Sequence, residues 1–196
     1  MQKFLFFMDR AQVIYAIYVV CLAVFLGLML FTPILALSDE KAAAPLYSAF
    51  AYTCHQKISR SECIFPDNTI RDCTNQSGTY VSDDRRNISA HYDSIIGYKL
   101  PVCARDVGIY LFMLLGAIIY PFIFKLDNKK ILPPLLLVLA IAPLALDGSL
   151  QLLSDMGINL LGFPYESTNM IRLLTGAIAG TAVTFYVIPI ANRMFN

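Results

Sequence analysis

The stretch Ala11–Leu37, AQVIYAIYVVCLAVFLGLMLFTPILAL, runs for 27 residues without a charge. A transmembrane helix needs about 20 mainly apolar residues, because a hydrocarbon core of about 30 Å is crossed at about 1.5 Å per residue. This run meets that length with room for tilt. Lys3 and Arg10 before it and Ala36-Leu37-Ser38 at its end imitate a cleaved secretory leader. The apolar core of such a leader is only about 7–15 residues long, so the run is read as a retained anchor.

Three further runs follow the same logic. Val107–Phe124 is uncharged, and its helix is expected to begin near residue 104; 131–154 carries one charge, Asp147; 169–192 carries one, Arg172. Together the four runs hold two of the 29 charged residues of this 196-residue chain. The mean hydropathy is +0.60 and only 15% of residues are charged, against about 25% in a soluble domain. The expected fold is therefore all-α. It is a polytopic membrane protein, a single membrane domain over 1–196 with spans at about 11–37, 104–124, 131–154 and 169–192. A disordered tail, a nucleic-acid binder and a soluble enzyme are excluded, and a net charge of +1 argues against a partner recruited by bulk electrostatics.

Short basic flanks set orientation. Lys3 and Arg10 precede the first span, Lys125, Lys129 and Lys130 separate the second from the third, and Arg193 follows the fourth. With four spans these flanks share one side, which places both termini in the cytoplasm of a multi-pass cell-membrane protein. The 38–103 segment then faces outward, as does the 154–168 loop. Two sequons in that outer segment, Asn75-Gln76-Ser77 and Asn87-Ile88-Ser89, fit a glycoprotein oriented this way.

The outer segment divides in three. Its start is uncharged but too short to span, and predicts an interfacial helix at 42–54. Cys54–Cys63 (CHQKISRSEC) is dense in reactive side chains. Ile64–Lys99 has few large apolar residues and reads as an irregular or partly ordered loop. Cys21 sits mid-span as a small core residue, whereas Cys54, Cys63, Cys73 and Cys103 lie outside. Four such cysteines allow three pairings. The local pair Cys63–Cys73 closes the shortest loop and is the cheapest disulfide, leaving Cys54 and Cys103 to each other or to chemistry.

Polar side chains gather where the chain meets the outer ends of the spans. Cys103 and Asp106 are three apart and share a helix face, with Arg105 on the same turn. Asp147 and Gln151 are four apart in the outer half of the third span, where Pro143 opens space by kinking the helix. Thr168, Asn169 and Arg172 open the fourth. A charge near mid-bilayer costs about 2.5–3.5 kcal/mol on insertion scales. Asp147 and Arg172 therefore read either as a structural ion pair locking two helices or as the centre of a polar pocket. Arg172 has the planar fork that suits phosphate or carboxylate. Cys54, His55, Cys103, Asp106 and Asp147 offer donors acceptable to zinc or another divalent metal, although adjacent Cys54 and His55 point apart and cannot easily share one ion. No CxxC and no GxSxG occurs, which removes the usual dithiol and serine-hydrolase signatures. Gly176 and Gly180 form a GxxxG spacing that predicts close helix packing.

Four blocks in order, CHQKISRS (54–61), LPVCARDVGIY (100–110), PLALDGSLQLL (143–153) and ESTNMIRLLTG (166–176), resemble the signature of an uncharacterised membrane family of archaea and bacteria, catalogued as a domain of unknown function. The resemblance covers roughly Ser48 to Pro189. It implies that Cys54, His55, Gln56, Arg60, Cys103, Arg105, Asp106, Asp147, Gly148, Gln151, Ser167, Thr168, Asn169 and Arg172 occupy signature positions. Many relatives carry a second cysteine where this chain has Asp106, and the stretch from about Ile64 to Ser94 looks like an insertion.

The leading functional expectation is a small membrane enzyme working at the outer interface on a lipid-linked or anionic amphiphile. Arg60, Arg105 and Arg172 would hold the anion, with Gln151, Thr168 and Asn169 lining the site. Asp106, Asp147 and His55 would supply acid–base or metal-ligand chemistry. The alternative is a non-enzymatic accessory or binding subunit of a membrane complex or oligomer, in which the same polar residues pin helices and Cys54 pairs with Cys103.

Overall fold

The computed structural model describes residues 9–54, 57–73, 87–92 and 95–195. Helix α1 (Arg10–Ser38) is followed by α2 (Glu40–Phe50), a 3-10 turn (Ile58–Arg60), and four strands, β1 (Glu62–Ile64), β2 (Ile70–Asp72), β3 (Ser89–Tyr92) and β4 (Ile95–Lys99). Helices α3 (Ala104–Ile123), α4 (Pro134–Asp155) and α5 (Asn169–Phe195) complete the order. Among the described residues four helices, α1, α3, α4 and α5, are long and apolar enough to cross a membrane. Their apolar side chains stay largely uncovered by protein: Val138, Leu139 and Leu146 on α4 are each more than half exposed, as lipid-facing residues are.

The helical expectation holds, with a small sheet beside the helices. Ile64–Lys99, read as an irregular loop, contributes strands to a four-stranded antiparallel sheet of order β2-β1-β4-β3. The strands are only three to five residues long, too short to display the alternation that marks a strand in sequence. A compact core replaces length. The Cys63–Cys73 disulfide, expected as the cheapest pairing, ties β1 to the end of β2. Its sulfurs pack with Ile58, Phe65 and Ala90. Gly97 on β4 lies flat against the Phe65 ring, where an added Cβ would come within 2.7 Å of ring carbons. On the sheet's exposed side Arg71 sits over both Phe65 and Tyr92, 5.2 and 4.6 Å from the ring centres, and bonds Asp67 at 2.6 Å. The Asn75 sequon lies outside the described residues, whereas Asn87 lies two residues before the start of β3 at Ser89.

The α2 helix begins at an aspartate cap. Asp39 Oδ1 accepts the backbone N–H groups of Lys41 and Ala42, satisfying donors a helix start leaves open. Tyr47 on α2 donates to the Lys99 carbonyl at 2.6 Å and packs with Ala36 and Ala43.

The chain divides into two compact units. One comprises Met1–Val24, Gly108–Tyr165 and Thr175–Asn196; the other comprises Phe25–Val107 and Glu166–Leu174. Within the first unit α5 crosses α3 at very close range. A Cβ at Gly180 would collide with the backbone of Ile109, so glycine is required for the approach. Thr184 donates to the Met113 carbonyl at 3.0 Å, leaving its oxygen to accept from Tyr18 at 2.9 Å. Tyr15 reaches the Ala117 carbonyl at 2.8 Å. Each bond satisfies a hydroxyl that hydrocarbon could not.

Candidate functional site

The second unit carries the densest chemistry. Cys54 follows the turn that ends α2, its N–H bonded to the Phe50 carbonyl. Cys103 opens α3 by accepting the Val107 N–H on its carbonyl, and Asp106 lies in the first turn, where a carboxylate is favoured by the helix dipole. The i, i+3 spacing brings both side chains to one face. Cys103 Sγ donates to Asp106 Oδ2 at 3.1 Å, while the Cys103 N–H donates to Cys54 Sγ at 3.3 Å. One donor atom from each of the three residues lies within 4.8 Å of the others. Cys54 and Cys103 are thiols and not a disulfide. The hydrogen bond with Cys54, then burial, then the Asp106 charge hold the Cys103 thiol well above its usual pKa.

Arg172 is the second component. It is 1% exposed, and its Nη1 donates to the Ser59 carbonyl at 3.2 Å and to Asn169 Oδ1 at 2.7 Å. The exposed Glu166 carboxylate stands 3.8 Å from Nη2. Asn169 in turn donates to the Ser61 carbonyl at 3.2 Å. Thr168 starts α5, its hydroxyl accepting the Ile171 N–H and its carbonyl the Arg172 N–H. Ser167 beside it is buried. Half-buried Arg60 and Arg105 lie within electrostatic reach of the Arg172 guanidinium, as does Cys103. Thus Cys54, Arg60, Cys103, Arg105, Asp106, Thr168, Asn169 and Arg172 belong to one unit.

Asp147 and Gln151 belong to the other unit, and both are buried. Asp147 Oδ1 accepts from the Tyr165 hydroxyl at 2.8 Å, and the Tyr165 N–H donates to Ser154 Oγ at 2.8 Å. A buried carboxylate within a span thus accepts at least one neutral hydroxyl donor. Pro143 lies within α4, one turn before Asp147. Sequence reasoning missed Tyr165. Its position in a loop after a hydrophobic helix, with an apolar body and polar tip, was the available signal. The Ser59 and Ser61 contributions are main-chain carbonyls, which no residue pattern encodes. His55 and Gln56 lie outside the described residues.

Four helices long and apolar enough to cross a membrane define the class, a polytopic membrane protein; the disulfide-tied sheet and the cysteine–carboxylate cluster both lie in the second unit. The chain belongs to the family described as "Predicted membrane protein (DUF2085)", whose pattern matches residues 89–186. It is also 37% identical over 149 residues to "Uncharacterized protein MJ1492" of Methanocaldococcus jannaschii, a match covering 76% of this chain and 70% of that protein. No solved structure matches the chain.

Proposed function

We propose that this membrane protein is a metal-dependent enzyme whose ion is held by Cys54, Cys103 and Asp106, acting on an anionic or lipid-linked amphiphile at the extracytoplasmic face. The observation that carries this reading is the meeting of three donors, from two separate stretches of chain, within 4.8 Å. Ligand atoms around tetrahedral zinc stand about 3.4–3.8 Å apart, so small rotations of the side chains close the cluster on an ion. Two thiolates and one carboxylate make a zinc-compatible set that leaves a fourth position for water or substrate. Held by Cys54, Cys103 and Asp106, a divalent metal would supply Lewis-acid chemistry toward a bound water or an ester or phosphoryl oxygen. Arg60, Arg105 and Arg172 provide the positive field that draws an anionic group to the cluster. The basic flanks of the spans support the outward orientation.

The bonds that Cys103 already makes to Cys54 and Asp106 favour a second reading, in which the cluster only fastens the α2–β1 segment to α3 in an accessory subunit. Metal analysis of the purified protein separates the two. About one zinc per chain, lost in Cys103→Ala and Asp106→Asn while the protein stays monodisperse, supports the metal site. Metal-free protein in which mutation lowers thermal stability and nothing else supports the structural reading.

A further inference from the structure

The turn between α3 and α4 is more highly built than a topology-setting basic loop requires. Ile123, Phe124, Lys125, Asp127, Asn128 and Lys129 line an open surface depression of about 630 Å³ there. It is held from within its own unit. Asn192 of α5, fully buried, directs its side-chain amide to the carbonyls of Leu126 and Asn128. Asn128 Oδ1 accepts the Lys130 N–H at 2.9 Å, and the Asn128 N–H donates to the Lys125 carbonyl at 3.1 Å. Phe124 is wedged between Tyr120 and Phe185, with ring centres 5.6 and 6.1 Å away. The backbone is therefore fixed, and the lysines project from a rigid frame.

The depression and the helix turn beside it present two chemical halves. Lys125 and Lys129 are exposed cations, with Lys130 next in sequence and Asp127 as the opposing charge. Beside them, at the last turn of a membrane-crossing helix, Phe122 is 85% and Ile123 57% exposed. Cationic groups adjoining bare apolar side chains at the end of a span match an amphiphile with an anionic head and acyl chains. A free phosphate would use only the first half.

We infer that this α3–α4 turn is a binding site for an anionic phospholipid, its phosphate held by Lys125 and Lys129 and its acyl chains running along Phe122 and Ile123. The site is independent of the cysteine–carboxylate cluster. Its chemistry also fits the anionic cytoplasmic leaflet, on which the basic flanks would place it.

Titration of full-length protein in a neutral detergent with phosphatidylglycerol, phosphatidylcholine or inorganic phosphate, read by native mass spectrometry, tests it. Phosphatidylglycerol is expected to bind in preference to phosphatidylcholine. The Lys125→Gln/Lys129→Gln variant is expected to bind it about tenfold to thirtyfold more weakly, and Lys41→Gln as tightly as the wild type. Inorganic phosphate is expected not to displace the lipid. Equal binding of the two lipids, an unchanged affinity in the double variant, or full displacement by inorganic phosphate would each overturn the proposal. The wild-type lipid comparison and the phosphate competition decide the matter even if the double variant does not fold.

Discussion

Arg172 of α5 donates to the main-chain carbonyl of Ser59, 113 residues earlier in the chain. Through this bond and its neighbour from Asn169 to Ser61, the first turn of the last span holds the segment that carries Cys54 and Arg60. The guanidinium matters here for its fork of donors as much as for its charge. Arg172→Met leaves the Ser59 carbonyl and Asn169 Oδ1 without this donor inside a buried setting and is expected to destabilise by about 1–3 kcal/mol per acceptor left unsatisfied. Arg172→Lys keeps the charge but loses the planar fork, and should recover only part of that. Thermal denaturation in detergent, with cysteine alkylation to report opening of the 54–61 segment, checks both.

Gly180 and Gly27 offer a paired test of helix packing. An added methyl at Gly180 meets the Ile109 backbone, while at Gly27 it meets nothing within 4 Å. Gly180→Ala should cost at least about 1–3 kcal/mol through overpacking, and Gly27→Ala should be neutral or mildly stabilising. A Gly180→Ala protein with wild-type thermal stability would show that α5 does not need this approach.

Glu62 faces Asp72 directly across the β1–β2 pair. Burial, and then the Asp72 carboxylate, raise the Glu62 pKa above its ordinary 4.5. An acid with a raised folded pKa holds its proton longer in the native state, so stability falls as pH rises through the window above 4.5 and the charge appears. Glu62→Gln is expected to strengthen β1–β2 and flatten that dependence. Hydrogen exchange of the β1 and β2 amides on both sides of the window reads it out, and equal pH slopes in the two proteins would contradict it.

The Cys63–Cys73 disulfide closes a short loop around the β1–β2 hairpin. Replacing both cysteines by serine is expected to destabilise the sheet by about 2–3 kcal/mol, while α1, α3, α4 and α5 persist. Limited proteolysis should then cut within 62–99 first, with the helical circular dichroism largely retained.

The four long helices were legible because lipid enforces a blunt rule: a span excludes charge over about 20 residues. Helices α3 and α5 start at Ala104 and Asn169, just after Cys103 and Thr168, where polar sequence gives way to apolar. The sheet was not legible, because β1 finds β4 some 35 residues downstream and depends on Gly97 and a disulfide more than on strand propensity. The cluster was legible in part. The Cys103–Asp106 spacing was visible as helix periodicity, but the arrival of Cys54 beside them is a tertiary event. The Asp147–Tyr165 bond, 18 residues apart, likewise needed the loop's path.

The Arg172 brace also sets a schedule for biosynthesis. The 54–61 segment leaves the ribosome long before residue 169 is made, yet two of its carbonyls are claimed by side chains of the final helix. Until that helix enters the bilayer, Cys54 and Cys103 lack the clamp that fixes their surroundings. A nascent chain arrested before Asn169 should leave both thiols open to alkylation, and release of the last span should close them. Maturation of the site is thereby tied to the synthesis of α5.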